Sequence, residues 1–109
     1  MQSIRRLLVL AFVLSVVLTA VNVVAADDPG ATLFKAKCAM CHGQDATGNN
    51  TMGKSLKIRD LTSPDVQKQS DADILATITK GKNKMPEYGT KLSKEQIADL
   101  EKYIRTLKK

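Results

Sequence analysis

The apolar positions of the chain form one long run near the amino terminus and several short stripes after it. Residues 7–26 are almost wholly apolar, whereas later apolar residues recur three or four positions apart, the period of an α-helix. The most regular stripe is Ile97, Leu100, Tyr103, Ile104 and Leu107. A shorter one is Ile74, Leu75 and Ile78. The sequence contains no strand-like alternation, so the pattern predicts an all-α fold of three or four short helices.

Capping residues indicate where these helices begin and end. An acidic cap followed by proline at 28–29 predicts the start of the first helix. A similar pattern at 63–65 predicts a short helix. Ser70, with an aspartate three residues later, starts a helix that ends at Gly81, and Ser93 with Gln96 forms a capping box for the last helix. The helical elements therefore lie between residues 28 and 107.

Three segments between these helices lack a helical period. Residues 43–50 and 82–89 are rich in glycine, asparagine and proline, which is typical of loops. Leu56, Ile58 and Leu61 are spaced too irregularly for a helix or a strand. We expect them to enter a pocket from an extended loop.

The amino-terminal run has the features of an export signal. Arg5 and Arg6 precede the apolar residues 7–26, and Val24-Ala25-Ala26 supplies the small residues that a signal peptidase recognises. We expect cleavage after Ala26, so that residues 1–26 are a signal peptide and residues 27–109 are the mature domain. The alternative is an uncleaved membrane anchor, because the run is about long enough to span a bilayer.

Charge and composition limit what the mature domain can bind. Loss of the two leader arginines lowers the formal charge from +6 to +4, and the chain has two phenylalanines, two tyrosines and no tryptophan. This is too weakly basic and too poor in aromatic residues to indicate nucleic-acid binding. A domain of this size is marginally stable on side-chain burial alone, so a large apolar prosthetic group would complete its core.

The segment Cys38-Ala39-Met40-Cys41-His42 carries the chemistry of the chain, because its spacing is that of covalent haem attachment. In a helical turn, the two cysteines lie on one face about 5–6 Å apart, which lets both sulfurs reach the vinyl groups of one porphyrin. His42 follows at once and can coordinate the iron. A disulfide or a thioredoxin-like pair is the alternative, whereas a zinc site would need four ligands, more than the cysteines and the single histidine supply.

Three methionines are candidates for the opposite face of the iron. Met40 lies between the two cysteines and cannot reach that face. Met52 is conceivable, but Met85 is favoured because Pro86 stiffens its loop between two predicted helices. Histidine and methionine ligation is the pattern of cytochromes c. Otherwise the position is open or taken by lysine.

Together these residues resemble a small monohaem class I cytochrome c of the bacterial periplasm. The resemblance runs over the whole mature chain, from Gly30 and Phe34 through the segment 38–43 and Met85-Pro86 to the stripe around Tyr103. It implies a compact fold wrapped around one haem, thioether bonds at both cysteines, and the methionine as distal ligand. It also implies that the first and last helices cross at a contact between glycine and aromatic residues. The chain departs from longer members in having no tryptophan, and Lys57 or Arg59 is a candidate replacement near the propionates.

The function expected from this resemblance is one-electron transfer by a covalently bound haem c, without enzymatic activity. We expect a periplasmic monomer whose redox partners dock through acidic faces, and membrane contact only through those partners or an uncleaved leader. Lysines flank the predicted haem edge at positions 35, 37, 80, 82, 84 and 91 and are suited to steering such partners. The alternatives are a haem subunit or anchored cytochrome serving one dehydrogenase or oxidase, and an open-site haem peroxidase or gas sensor.

Overall fold

The computed structural model describes residues 1–16 and 28–109, and its first element is helix α1, Gln2–Val16. The side chains of residues 1–9 are all exposed. Within the described residues, every helix is too short or too polar to cross a bilayer. The expected cleavage after Ala26 lies outside the described residues, so the boundary between signal peptide and domain stays a prediction.

Residues 28–109 fold into six further helices joined by short loops. These helices are α2 Pro29–Lys37, α3 Ala39–His42, α4 Thr51–Leu56, α5 Pro64–Gln67, α6 Asp71–Lys80 and α7 Lys94–Thr106. In this part of the chain the β-type pairing is one isolated bridge, between Lys82 and Met85, and there is no strand. The all-α prediction is confirmed, but three or four helices was too low a number.

The predicted helix starts are all present, and side chains cap most of them. Asp28 accepts a hydrogen bond from the Gly30 backbone N–H at 2.8 Å, and Ser70 accepts one from the Asp73 N–H at 3.1 Å. The capping box is complete at α7, where Ser93 accepts from the Gln96 N–H at 3.1 Å and its own N–H donates to Gln96 Oε1 at 2.9 Å. Each cap satisfies backbone groups that the first helical turn leaves unpaired.

Helix α4 corrects the expectation of an extended loop before Ile58. Asn50 Oδ1 accepts a hydrogen bond from the Gly53 N–H at 2.6 Å and so starts the helix. The helix ends where Lys57 takes a left-handed conformation, with φ +55°. Its six residues, TMGKSL, are too few to show an apolar period, so the capping asparagine was the available signal.

Helices α2 and α7 cross closely and carry the centre of the core. Gly30 lies against the Asp99 carbonyl, and a β-carbon at position 30 would stand 2.9 Å from Tyr103 Cβ. The rings of Phe34 and Tyr103 pack with centroids 5.3 Å apart. Leu100 and Phe34 are the most completely buried large side chains of the described residues. The crossing implied by the resemblance is therefore confirmed.

Candidate haem site

A cleft of about 440 Å³ opens between the α2–α3 segment and the loop that follows α6. This volume is within the range of cofactor pockets. Four side chains named from the sequence line it together: Cys38, Cys41, His42 and Met85. Leu100 and Ile104 of α7 contribute to its inner wall. The fold thus brings residues 38–42 and residue 85 to one cavity.

A single helical turn presents the two cysteines and the histidine. The backbone N–H groups of Cys41 and His42 both donate to the Cys38 carbonyl, at 3.2 and 2.9 Å. Gly43, with φ +84°, ends this turn in a conformation that favours glycine. The Gly48 N–H then donates to the His42 carbonyl at 2.7 Å, which ties the following loop to the turn.

Both cysteines are half-buried, and no disulfide joins them. Burial, with a smaller contribution from neighbouring Cys41, raises the pKa of the Cys38 thiol to about 11. Among the described residues, no group of three or more His, Cys, Asp or Glu side chains could hold a metal ion. Both cysteines line the cleft, where their sulfur atoms can be attached to a group that it holds.

The His42 imidazole has the properties of a ligand whose partner is a group outside the polypeptide. Its ring packs 6.2 Å from the Phe34 ring, between centroids, and burial lowers its pKa. The ring therefore stays neutral at pH 7, the form that coordinates metals. Its Nδ1 atom is buried and has no hydrogen-bond partner among the described residues. An unpartnered buried nitrogen costs about 1–3 kcal/mol, and a bound haem would explain why this histidine occupies the cleft.

The backbone around Met85 is a tight turn fastened to α6. The N–H groups of Lys82 and Met85 donate to each other's carbonyls at 3.2 and 2.9 Å, and Asn83 between them has φ +53°. A β-carbon at Gly81, where φ is +72°, would stand 2.5 Å from the Met85 carbonyl oxygen. Only a glycine lets α6 end so close to this turn. The Met85 side chain is partly buried and packs against the core.

The other two methionines do not line the cleft. Met40 is 77% exposed and Met52 is 43% exposed. The sequence alone leaves Met52 open as a second candidate for coordinating the iron. Among these three methionines, Met85 alone lines the cavity that holds His42.

Two residues that support the site were not identified from the sequence. Asn50 donates from Nδ2 to the Met40 carbonyl at 3.1 Å, so it joins the cysteine turn to α4. Tyr88 lines the cleft, and its hydroxyl donates to the Lys37 carbonyl at 3.3 Å. The hydrogen bond to Lys37 joins residues that are far apart in the sequence, so the sequence does not predict it. The one sequence feature that could have drawn attention to Tyr88 is its position three residues after Met85.

The expected apolar and basic linings are both present. Leu56, Ile58 and Leu61 line the cleft, although Leu56 does so from α4 and not from a loop. The mouth also carries exposed cationic side chains, from Lys37, Lys57, Arg59, Lys82 and Lys84. No carboxylate is among the described residues that line the cavity. An apolar interior with a positive mouth suits an apolar macrocycle that carries acidic groups at its edge.

Comparison with known proteins gives consistent matches over the part of the chain that forms this site. The family model described as "Cytochrome C oxidase, cbb3-type, subunit III" matches residues 25–104. Cytochrome c6 of Aphanizomenon flos-aquae is 35% identical over 75 residues, which are 69% of this chain and 83% of that protein. The solved structure of the KustC0563 c-type cytochrome superposes with a TM-score of 0.66 and 32% identity, covering 73% of this chain and 98% of that one.

A longer relative is matched over a small part of its length. The cbb3-type cytochrome c oxidase subunit FixP of Azorhizobium caulinodans is 39% identical over 80 residues, which are 72% of this chain and 26% of that protein. The similarity therefore concerns about a quarter of that subunit.

Proposed function

This chain belongs to the c-type cytochromes, as a small monohaem class I member, and from that premise we propose which of its residues carry out electron transfer. It is a one-electron carrier with covalently bound haem c. The haem iron supplies the redox chemistry by changing between its ferric and ferrous states. What the polypeptide contributes is attachment, ligation, exclusion of water and contact with redox partners.

In this proposal, Cys38 and Cys41 would hold the porphyrin by thioether bonds, and His42 and Met85 would coordinate its iron. The observation that supports it is the placement of all four side chains on one largely apolar cleft. His42 meets the requirement for a neutral donor because burial lowers its pKa. The buried and unpartnered Nδ1 atom is also consistent with a site that a bound group completes.

Met85 distinguishes an electron carrier from a reactive haem site. A thioether ligand favours reduced iron, and a sixth ligand keeps oxygen and peroxide away from the metal. The turn at 82–85 and the bonds of the following loop to α6 restrict the movement of the Met85 backbone. A peroxidase or gas sensor would require an open position on this side, so the Met85 assignment argues against both.

The chain exchanges electrons with other redox proteins, and we propose that their docking faces are acidic. Cationic side chains at 37, 57, 59, 82 and 84 surround the cleft mouth, where a partner would approach the haem edge. We further propose an exported periplasmic monomer from which the leader is removed after Ala26, on the basis of the apolar run and the small residues that follow it. A dedicated oxidase subunit is not proposed, because the match to FixP covers 26% of that protein.

Visible spectra of the holoprotein test the axial ligands, with Met85→Ala compared against Met52→Ala. We expect the weak long-wavelength iron–sulfur band of the oxidised protein to disappear in Met85→Ala and to persist in Met52→Ala. Reduced Met85→Ala should also bind carbon monoxide without denaturant, whereas wild type should resist it. If the band survives in Met85→Ala and is lost in Met52→Ala, the ligand is Met52 and the proposal is wrong.

A further inference from the structure

Tyr88 lies where the Met85 loop meets the segment that carries the cysteines. Its backbone N–H donates to the Ile78 carbonyl of α6 at 3.1 Å. Its carbonyl accepts from the N–H groups of Lys91 and Leu92 at 3.0 and 2.9 Å. Main-chain hydrogen bonds therefore fix the Tyr88 backbone on both sides. A movement of the loop that begins at Met85 would move Tyr88 with it.

The Tyr88 side chain reaches across the cleft to the other wall. Its hydroxyl donates to the carbonyl of Lys37, the last residue of α2 and the one directly before Cys38. In the described part of the chain, this is the hydrogen bond that links residues 81–92 to residues 29–43. The ammonium group of Lys91 lies 5.5 Å from the centroid of the Tyr88 ring and restrains it further.

This bond closes the cleft between the two elements that carry the proposed axial ligands. One wall carries His42 and the attachment cysteines, and the opposite loop carries Met85. If the loop moves away from α2, the Tyr88 hydroxyl loses its acceptor, and Met85, which lies three residues earlier on the same loop, moves away from the other wall of the cleft. The free energy of the hydrogen bond therefore opposes the motion that would free the methionine.

We propose that Tyr88 is a positioning residue whose hydroxyl bond to the Lys37 carbonyl holds Met85 in place as the distal ligand. The inference rests on the proposed role of Met85. It adds a residue that acts through the spacing of the two cleft walls. Its chemical signature is resistance of the oxidised protein to external ligands, because these bind only after the methionine has left.

The test is a titration of the oxidised holoprotein with imidazole, in which binding is measured by the loss of the long-wavelength iron–sulfur band. Tyr88→Phe keeps the ring and removes the hydroxyl. Tyr103→Phe is the matched control, because its hydroxyl makes no hydrogen bond with the described residues and its ring packs on Phe34 at the α2–α7 crossing. We expect Tyr88→Phe to bind imidazole roughly two- to threefold more tightly than wild type. This is the low end of the effect of one hydrogen bond, because the bond is 3.3 Å long and solvent-exposed. Tyr103→Phe should bind it as wild type does.

Unfolding in guanidinium chloride, measured on the same proteins, separates positioning from general stabilisation. A purely structural hydroxyl would lower the unfolding midpoint of Tyr88→Phe and leave its imidazole affinity unchanged, and that result would overturn the proposal while the Met85 assignment stands. If wild type itself lacks the band and binds imidazole readily, Met85 is not the ligand and both proposals fall. Tighter imidazole binding by Tyr88→Phe alone supports the positioning role.

Discussion

At the scale of single residues, Asn50 joins two helices with the two ends of one amide group. Its Oδ1 caps α4, and its Nδ2 donates to the Met40 carbonyl in the cysteine turn. The residue type alone makes Asn50 a candidate cap. Its second bond spans ten positions of sequence and depends on the tertiary fold, so sequence could not predict it.

The double role of Asn50 predicts a graded loss of stability. Asn50→Ala should lower the free energy of unfolding by about 1–2 kcal/mol, since both the cap and the donor are lost. Asn50→Asp should cost less, because a carboxylate still accepts from the Gly53 N–H. The control is Asn49→Ala, at an exposed neighbour. Denaturant unfolding of the holoprotein measures all three, and equal midpoints for Asn50→Ala and Asn49→Ala would show that these bonds contribute nothing.

At the scale of helices and loops, the sequence predicts those elements whose start, end and buried face are set by their own residues. The caps at Ser70 and Ser93, the end of α6 at Gly81 and the stripe of α7 are all of this kind. Helix α4 is too short for a stripe, so its segment was expected to be a loop. The contact between Tyr88 and Lys37 could not be predicted, because it depends on how α6 and α2 are placed in the fold.

The α2–α7 crossing predicts that replacing Gly30 by alanine lowers stability, whereas helix propensity alone predicts that it raises stability. Alanine normally stabilises a helix by about 1 kcal/mol relative to glycine. At position 30 its methyl group would meet the Asp99 carbonyl and Tyr103 Cβ, so Gly30→Ala should instead destabilise the holoprotein by about 1–3 kcal/mol. Thr32→Ala, at an exposed position of the same helix, is the control and should change stability by less than about 0.5 kcal/mol. A Gly30→Ala protein more stable than wild type would contradict the close crossing.

At the scale of the whole molecule, the cleft combines residues from nearly the full length of the domain. Its four candidate haem-binding residues, two for attachment and two for coordination, were identified from motif, spacing and resemblance, and the fold places them on one cavity. The sequence also indicated lysines near the haem edge, but only Lys37, Lys82 and Lys84 of that group line the cleft mouth. Lys57 and Arg59 lie there too, and which cations share one surface depends on the fold.

This distribution of charge predicts how electron transfer responds to salt. With an acidic redox protein as partner, the bimolecular rate should fall as ionic strength rises, because salt screens attraction between exposed charges. Replacing both Lys82 and Lys84 by glutamine should lower the rate at low salt and weaken the salt dependence. Lys102→Gln, on an exposed part of α7 away from the cleft, should do neither. A rate independent of salt in wild type would remove the proposed steering.

The most direct test of covalent haem attachment at Cys38 and Cys41 is the intact mass of the exported protein, made in a host that matures c-type cytochromes. We predict a coloured protein whose mass exceeds that of the polypeptide by one haem and keeps the excess after denaturation in acid and organic solvent. The variant with both cysteines replaced by serine should lose that excess. A colourless wild-type protein with the mass of the polypeptide alone would contradict the account.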